Sequence, residues 1–302
     1  MRFINPKVDY AFKKIFGSEE SKEILISFLN AIVYEGKPTI KDLTIVNPYN
    51  PGQLMTLKET YLDVKAVLAD GSIVVIEMQV ARMAAFSKRV MYNLAKAYAN
   101  QLSKGEYYPR LHPAIAVTIT DFILFKDSED IINEFVFHQP KKKFDYPDCE
   151  LKLIFVELPK FEKSLSEIET LVDKWIYFLK EGSRLEEIPE KLGSVSEIER
   201  ALSIANQAGM SLEELEIVDN RGIMLQDEKG RITYAEEKGR LKEAIGCISY
   251  LYAWGFPSIL NTCRDAIYRV STNMRCTRGD RSGYAFAQKA VWRNPHDFKQ
   301  SN

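Results

Sequence analysis

The stretch Tyr61–Val80, YLDVKAVLADGSIVVIEMQV, constrains this chain most, because it sets acids inside a pattern that is otherwise strand-like and apolar. Asp70-Gly71 marks a tight turn, since glycine takes the positive-φ position of such a turn cheaply. A loop at Ala69-Asp70-Gly71, closed by Leu68 and Ser72, sets Asp63 opposite Glu77 in antiparallel register. Side chains alternate along a strand, so Asp63, Lys65, Glu77 and Gln79 share one face. Leu62, Val64, Ala66 and Leu68 line the other face against Val74, Ile76, Met78 and Val80, which predicts core. Two carboxylates, an amide and an ammonium on one strand face are costly to desolvate unless something binds there. Neighbouring carboxylates repel, and a hard divalent cation such as Mg²⁺, or Mn²⁺ in its place, relieves the repulsion through oxygen ligands. The carbonyl of Met78 is a further candidate ligand. A hairpin with a solvated polar face explains the same pattern, so the rest of the chain must decide.

Composition narrows the field. With 302 residues, 46% of them hydrophobic, the chain can bury one large core or two smaller ones. Lys and Arg total 41 against 42 Asp and Glu, so nucleic-acid binding would need a local basic patch rather than a global field. No run approaches the ~18–20 apolar residues of a membrane span, and MRFINPKVDY lacks the apolar core of a signal peptide. A cytoplasmic protein without a membrane partner is expected. Four cysteines without CxxC spacing and without a His pair close by argue against a zinc site and a disulfide framework, and the wide scatter of His112, His138 and His296 argues against a His-based triad.

Along the chain, Asn5 to Gly17 reads as an amphipathic helix closed by glycine, with Phe12, Ile15 and Phe16 on one side and Lys13 and Lys14 on the other. Asp9 stands near its positive N-terminus, either pairing with the dipole or serving as an extra acid near a metal. A second helix is expected over 18–35 with Ser21 as N-cap, then a loop from Asn47 to Gly52. After Val80 the period changes: Phe86, Val90, Leu94, Ala97 and Leu102 predict a helix over about 82–104 that leans across the acids. Arg82, Lys88, Arg89, Lys96 and Lys104 occupy its other faces. Arg89 and Tyr92, with Lys88, are candidates for contacting a phosphate, against the plainer reading of solvated charge. A buried strand follows at Ala114–Thr120, so strand, helix and strand imply a crossover and a mixed sheet flanked by helices. Further strands are expected at Glu134–His138 and Leu151–Pro159, and helices from Ser166 onward. His138 among strand aromatics reads as a packed or edge histidine rather than a ligand.

These segments together resemble the Rpn family of recombination-promoting nucleases, the PD-(D/E)xK nuclease family transposases. The resemblance rests on KxDYAFKKIFG (Lys7 to Gly17), Asp63, the IEMQ of Ile76 to Gln79, and the next helix with Arg89 and Tyr92. It rests also on the Tyr108-to-Pro113 connector and on Asp173 to Lys180. It covers about residues 1–240. It implies an α/β (α+β) restriction-endonuclease-like core over 1–160 and a helical region over 161–242, whereas residues 243–302 depart from it as an atypical tail. That tail holds Cys247, Cys263, Cys276, Trp254 and Trp292, and reads as poorly packed or non-native.

The resemblance further implies metal-dependent hydrolysis of DNA phosphodiesters by an endonuclease of low sequence specificity, tied to recombination or mobile elements, without an organic cofactor. Asp63 and Glu77 would hold Mg²⁺, with Asp9 as an added acid. Gln79 stands where related nucleases place lysine, and an amide neither accepts a proton as an amine does nor carries its charge. Lys65 or Lys88 is the expected source of that charge. Cutting both strands with one site per chain calls for two subunits, hence a homodimer. The rival reading is a catalytically silent module that binds DNA or protein through the same fold, and RNA is an alternative substrate.

Overall fold

The computed structural model describes residues 1–46, 49–50, 60–61, 63–147 and 150–253. The chain opens with α1 (Asp9–Phe16), which buries Ala11, Phe12, Ile15 and Phe16. It ends where the Gly17 N–H donates to the Lys13 carbonyl at 2.8 Å. Next, α2 (Lys22–Tyr34) buries Ile24, Leu25, Phe28 and Leu29. Ser21 occupies the N-cap position, but its hydroxyl pairs with that of Ser18 rather than capping the helix.

Strands β1 (Leu43–Val46), β2 (Tyr49–Asn50), β3 (Thr60–Tyr61), β4 (Val64–Leu68) and β5 (Ile73–Gln79) follow. The loop expected at Asn47–Gly52 is interrupted by Tyr49–Asn50, which pairs with Thr60–Tyr61 as a short ribbon. Its other residues lie outside the described ones. Helix α3 (Phe86–Ala99) is shorter than the span predicted for it. It carries the crossover to β6 (Ala114–Thr120), which lies parallel to β5. Strand β7 (Ile132–Phe135) ends earlier than expected. His138 falls instead in a two-residue ribbon of β8 (His138–Gln139) with β9 (Phe144–Asp145), where its Nδ1 lies 2.9 Å from Asp145 Oδ1. Strand β10 (Leu151–Glu157) runs parallel to β6 and antiparallel to β7. The six-stranded mixed sheet has the order β1-β4-β5-β6-β10-β7.

One face of this sheet packs on α1, α2, α4 (Leu171–Glu181) and α6 (Ser196–Ala205), with the short α5 (Glu190–Gly193) beside them. Phe16, Phe28, Trp175 and Phe178 form an aromatic cluster at its centre. The indole N–H of Trp175 is satisfied by Ser27 Oγ at 3.1 Å. A capping box at Thr170 and Asp173 fixes the start of α4. The other face packs on α3: Ile73 and Val75 meet Phe86, Val90 and Leu94 in a second apolar cluster. The hairpin is thus apolar on both faces at its turn end and polar on one face only toward its open end. Both faces of a strand in a parallel crossover are covered, which removes the alternation a one-sided strand would show.

Helix α7 (Leu212–Ala253) completes the described chain, and no described helix is long and apolar enough to cross a membrane. The chain forms two compact units, Met1–Lys229 and Gly230–Asn302. The second comprises, among described residues, only the continuation of α7. The tail expected beyond it, residues 254–302, lies outside the described residues.

Candidate active site

The hairpin has the register its turn dictates. Val64 pairs with Ile76, Lys65 with Val75, Ala66 with Val74 and Val67 with Ile73. The Leu68 N–H donates to the Ser72 carbonyl at 2.8 Å, closing the loop. Gly71 has φ +88°, the left-handed conformation that the turn requires. Carried one pair beyond Val64, this register sets Asp63 across from Glu77. Val64, Ala66, Leu68, Val74, Ile76, Met78 and Val80 are all buried in the main core, as the alternation predicts. Leu62 lies outside the described residues.

Glu77 is 8% exposed and sits between the two strand neighbours and α3. Its Oε1 accepts from Asn93 Nδ2, and its Oε2 lies 3.6 Å from Arg89 Nη2. That oxygen is buried yet has no hydrogen-bond donor among the described residues. Burial pushes the Glu77 carboxyl up; Arg89 and Asn93 pull it back, and Asp63 adds to the rise. Asp63 Oδ2 accepts the Met78 N–H at 2.8 Å, and Oδ1 lies 3.5 Å from Lys13 Nζ. Its carboxyl is likewise pushed up by burial, opposed by the Met78 N–H and Lys13 and reinforced by Asp9. Two neighbouring acids are therefore held with their ionised forms disfavoured, one of them with an orphaned oxygen. That is the electrostatic state a divalent cation relieves, so these residues fit one.

Gln79 is engaged at both ends. Its Nε2 donates to the Ala81 carbonyl at 2.8 Å, and its Oε1 accepts from Arg89 Nη2. Arg89, whose guanidinium lies 5.6 Å from the Phe86 ring centroid, thereby ties α3 to both Glu77 and Gln79. Lys65 lies on the acid face of β4, where burial pushes its amine down. Lys88 is exposed on α3, and Tyr92 is exposed one turn beyond Arg89, with Lys96 Nζ 5.8 Å from its ring centroid. Lys96 itself is buried rather than solvated. Asp9 begins α1, accepts the Tyr10 N–H at 2.8 Å and lies 3.8 Å from Arg221. Its charge reaches Asp63, but among the described residues no three acidic, histidine or cysteine side chains cluster closely enough to hold a metal. The structure thus joins Glu77, Arg89 and Gln79 by direct contacts, sets Asp63 across the hairpin from Glu77, and places Lys65 two residues along from Asp63 on β4, with Asp9 on α1 and Lys88 and Tyr92 on α3.

Sequence reasoning missed three neighbours. Asn93 follows Arg89 by one helical turn, a spacing that was readable once α3 was laid across the acids. Lys13 lies in the opening motif, far in sequence from Asp63. Asp121, just past β6, donates its N–H to the Gln79 carbonyl at 3.0 Å and pairs with Lys7 at 3.2 Å and Lys229 at 2.6 Å.

A mixed sheet flanked by helices, with acids at the carboxyl end of a central strand and on its antiparallel neighbour, is a PD-(D/E)XK nuclease fold. The chain belongs to the family described as PD-(D/E)XK nuclease family transposase, which matches residues 6–235. No curated protein and no solved structure matches it. The matched span takes in both hairpin acids, α3, and the Lys7-to-Gly17 motif.

Proposed function

We propose that the protein is a Mg²⁺-dependent DNA endonuclease of low sequence specificity, acting in the cytoplasm on recombining or mobile DNA. The observation that carries this reading is the pair Asp63 and Glu77, opposed across the hairpin, desolvated, and short of donors at Glu77 Oε2. A site kept only for binding DNA has no use for two mutually repelling, buried acids.

Asp63 and Glu77 would hold the cation, Mg²⁺ or Mn²⁺, with Asp9 adding negative charge from α1. When bound, such an ion supplies Lewis acidity and lowers the pKa of water beside the phosphorus centre. Asn93 fixes one oxygen of Glu77, which leaves the other turned to the site. Gln79 holds Arg89 in place and Arg89 balances Glu77, so both act on the geometry of the acids. Lys65, on the same face of the hairpin, would add positive charge near the acids. Lys88 and Tyr92, exposed on α3, would meet the DNA backbone outside the reacting phosphate. A homodimer would bring two such sites to the two strands.

The test is plasmid cleavage by purified protein in Mg²⁺ and in EDTA, beside Asp63→Ala and Glu77→Ala. We expect metal-dependent nicking that falls by at least ~10²-fold in each variant. Duplex, single-stranded and RNA competitors then define the substrate. A folded wild type that cuts nothing in Mg²⁺ or Mn²⁺ would refute the nuclease reading in favour of a binding module.

A further inference from the structure

Gln79 leaves the site without the strand lysine of the ExK pattern, and the amide is already engaged by the Ala81 carbonyl and Arg89. The basic groups nearby differ in how far they are committed. Arg89 is fixed by Gln79, Glu77 and the Phe86 ring. Lys88 points to solvent, and among the described residues it makes no ion pair or hydrogen bond with either acid. Lys13 differs from both. Its ammonium lies 3.5 Å from Asp63 Oδ1, beyond good hydrogen-bond distance, and its side chain is 44% exposed. A pair of this kind is held by charge and released easily. The backbone beneath it is rigid, because Phe12 and Phe16 on either side are fully buried. Gly17 also closes the helix directly on the Lys13 carbonyl, where a Cβ would stand 2.7 Å from the oxygen. The KKIFG motif thus builds a firm base under a loosely held cation at the mouth of the acid pair.

We propose that Lys13 is the reacting-centre cation of this site. It balances Asp63 in the metal-free protein, and it turns to the non-bridging oxygens of the scissile phosphate once Asp63 is shared with a divalent ion. The proposal rests on the nuclease reading for its second half, and on the ion pair alone for its first. Two readouts separate the halves. The first is Mn²⁺ affinity of the metal-free protein, measured by electron paramagnetic resonance titration without DNA. Lys13→Met should bind Mn²⁺ ~2–5-fold more tightly than wild type, the value of one exposed ion pair removed from competition. The second is cleavage. Lys13→Met should lower kcat by ~10²-fold, as for loss of one charge-stabilising group, with Lys13→Arg recovering part of it. Both variants should melt with wild type, since Lys13 is half in solvent.

Unchanged or weaker Mn²⁺ binding in Lys13→Met would overturn the proposal, as would wild-type turnover in that variant. Should wild type bind Mn²⁺ yet cut nothing, the nuclease reading fails by itself. Tighter Mn²⁺ binding in Lys13→Met would then still establish Lys13 as the countercharge of Asp63, and unchanged binding would reject it.

Discussion

The sharpest consequence of the paired acids concerns stability rather than activity: Glu77→Gln should make the metal-free protein more stable. Directly opposed strand residues have Cβ atoms ~5 Å apart. Two unit charges at that separation repel by ~3 kcal/mol at an effective dielectric of ~20. At the same dielectric Arg89, 3.6 Å from Glu77 Oε2, offsets this repulsion in full, so the gain on neutralising Glu77 comes from its burial, the leading cause of its raised carboxyl. Relieving a buried carboxylate with a donor-less oxygen should give ~1–2 kcal/mol, or ~2–8 °C in Tm for a unit of this size. Glutamine keeps an oxygen for Asn93 to donate to, so little else changes. The pH dependence follows from Glu77 having a folded pKa above its unfolded one. Below ~pH 4 both states carry the proton and the variant has no advantage. As pH rises, the unfolded chain ionises first, so wild type loses stability until the folded carboxyl has also titrated, while the variant does not. Thermal melts from pH 4 to 8 in EDTA should show the gap opening with pH. Saturating Mn²⁺ should reverse the order, because ion at 100 times its Kd adds ~2.7 kcal/mol to wild type alone. A variant less stable than wild type at pH 8 in EDTA would show that Arg89 and Asn93 already satisfy Glu77. The case for a cation would then lose its electrostatic basis.

Two further expectations concern the frame. Glu157 is fully buried and accepts from the N–H groups of Leu124 and Phe125, from Asn133 at 3.1 Å and from Lys160 at 2.5 Å. Glu157→Ala strands a lysine that is itself only 8% exposed, and should cost ~3–5 kcal/mol in denaturant unfolding. A loss under 1 kcal/mol would mean water replaces the carboxylate. Gly71→Ala sets a Cβ 2.5 Å from the His112 ring at φ +88°, so it should destabilise by more than the ~1–2 kcal/mol of backbone strain alone. Adding His112→Ala should recover the clash but not the strain, and full recovery would contradict the backbone argument.

The hairpin was legible because its turn, register and alternation are local. Asp-Gly fixes where the chain reverses, and counting outward from it finds Glu77 and Asp63 together. The crossover through α3 was legible from the change of period after Val80. The second apolar layer was not, since Ile73 and Val75 look the same whether they face solvent or a helix, and only the parallel neighbour β6 forces that face to be covered. Nor was the work of Lys13 and Asn93 visible, because amphipathic spacing says which side of a helix is polar but not what it meets. Tyr92 and Lys88 show the converse. Lys88 adjoins Arg89 in the sequence yet lies exposed about 100° round the helix, and Tyr92 is exposed as well, whereas Arg89 and Asn93 reach Glu77.

Helix α7 is fastened to the rest of its unit by both apolar packing and charge, with Val218 in the main core and Leu225 packed against it. Its Leu212–Lys229 part meets α1 through Glu214 with Lys14 and Tyr10, and through Arg221 with Asp9. Lys229 reaches Asp121 beside the end of β6. Lys14 and the Ser211 N–H hold the Glu214 carboxyl down to about 2, so this attachment persists through mild acid and weakens only as pH falls toward that value. Salt acts on it at any pH, over a screening length of ~8 Å at physiological strength. A protein that meets a polyanion is already tuned by ionic strength through the phosphates it neutralises. Here the same ions would also slacken a helix that grips α1, the element carrying Lys13 and Asp9, so one solution variable would act both on any polyanion the protein meets and on the seating of the helix from which Lys13 reaches Asp63.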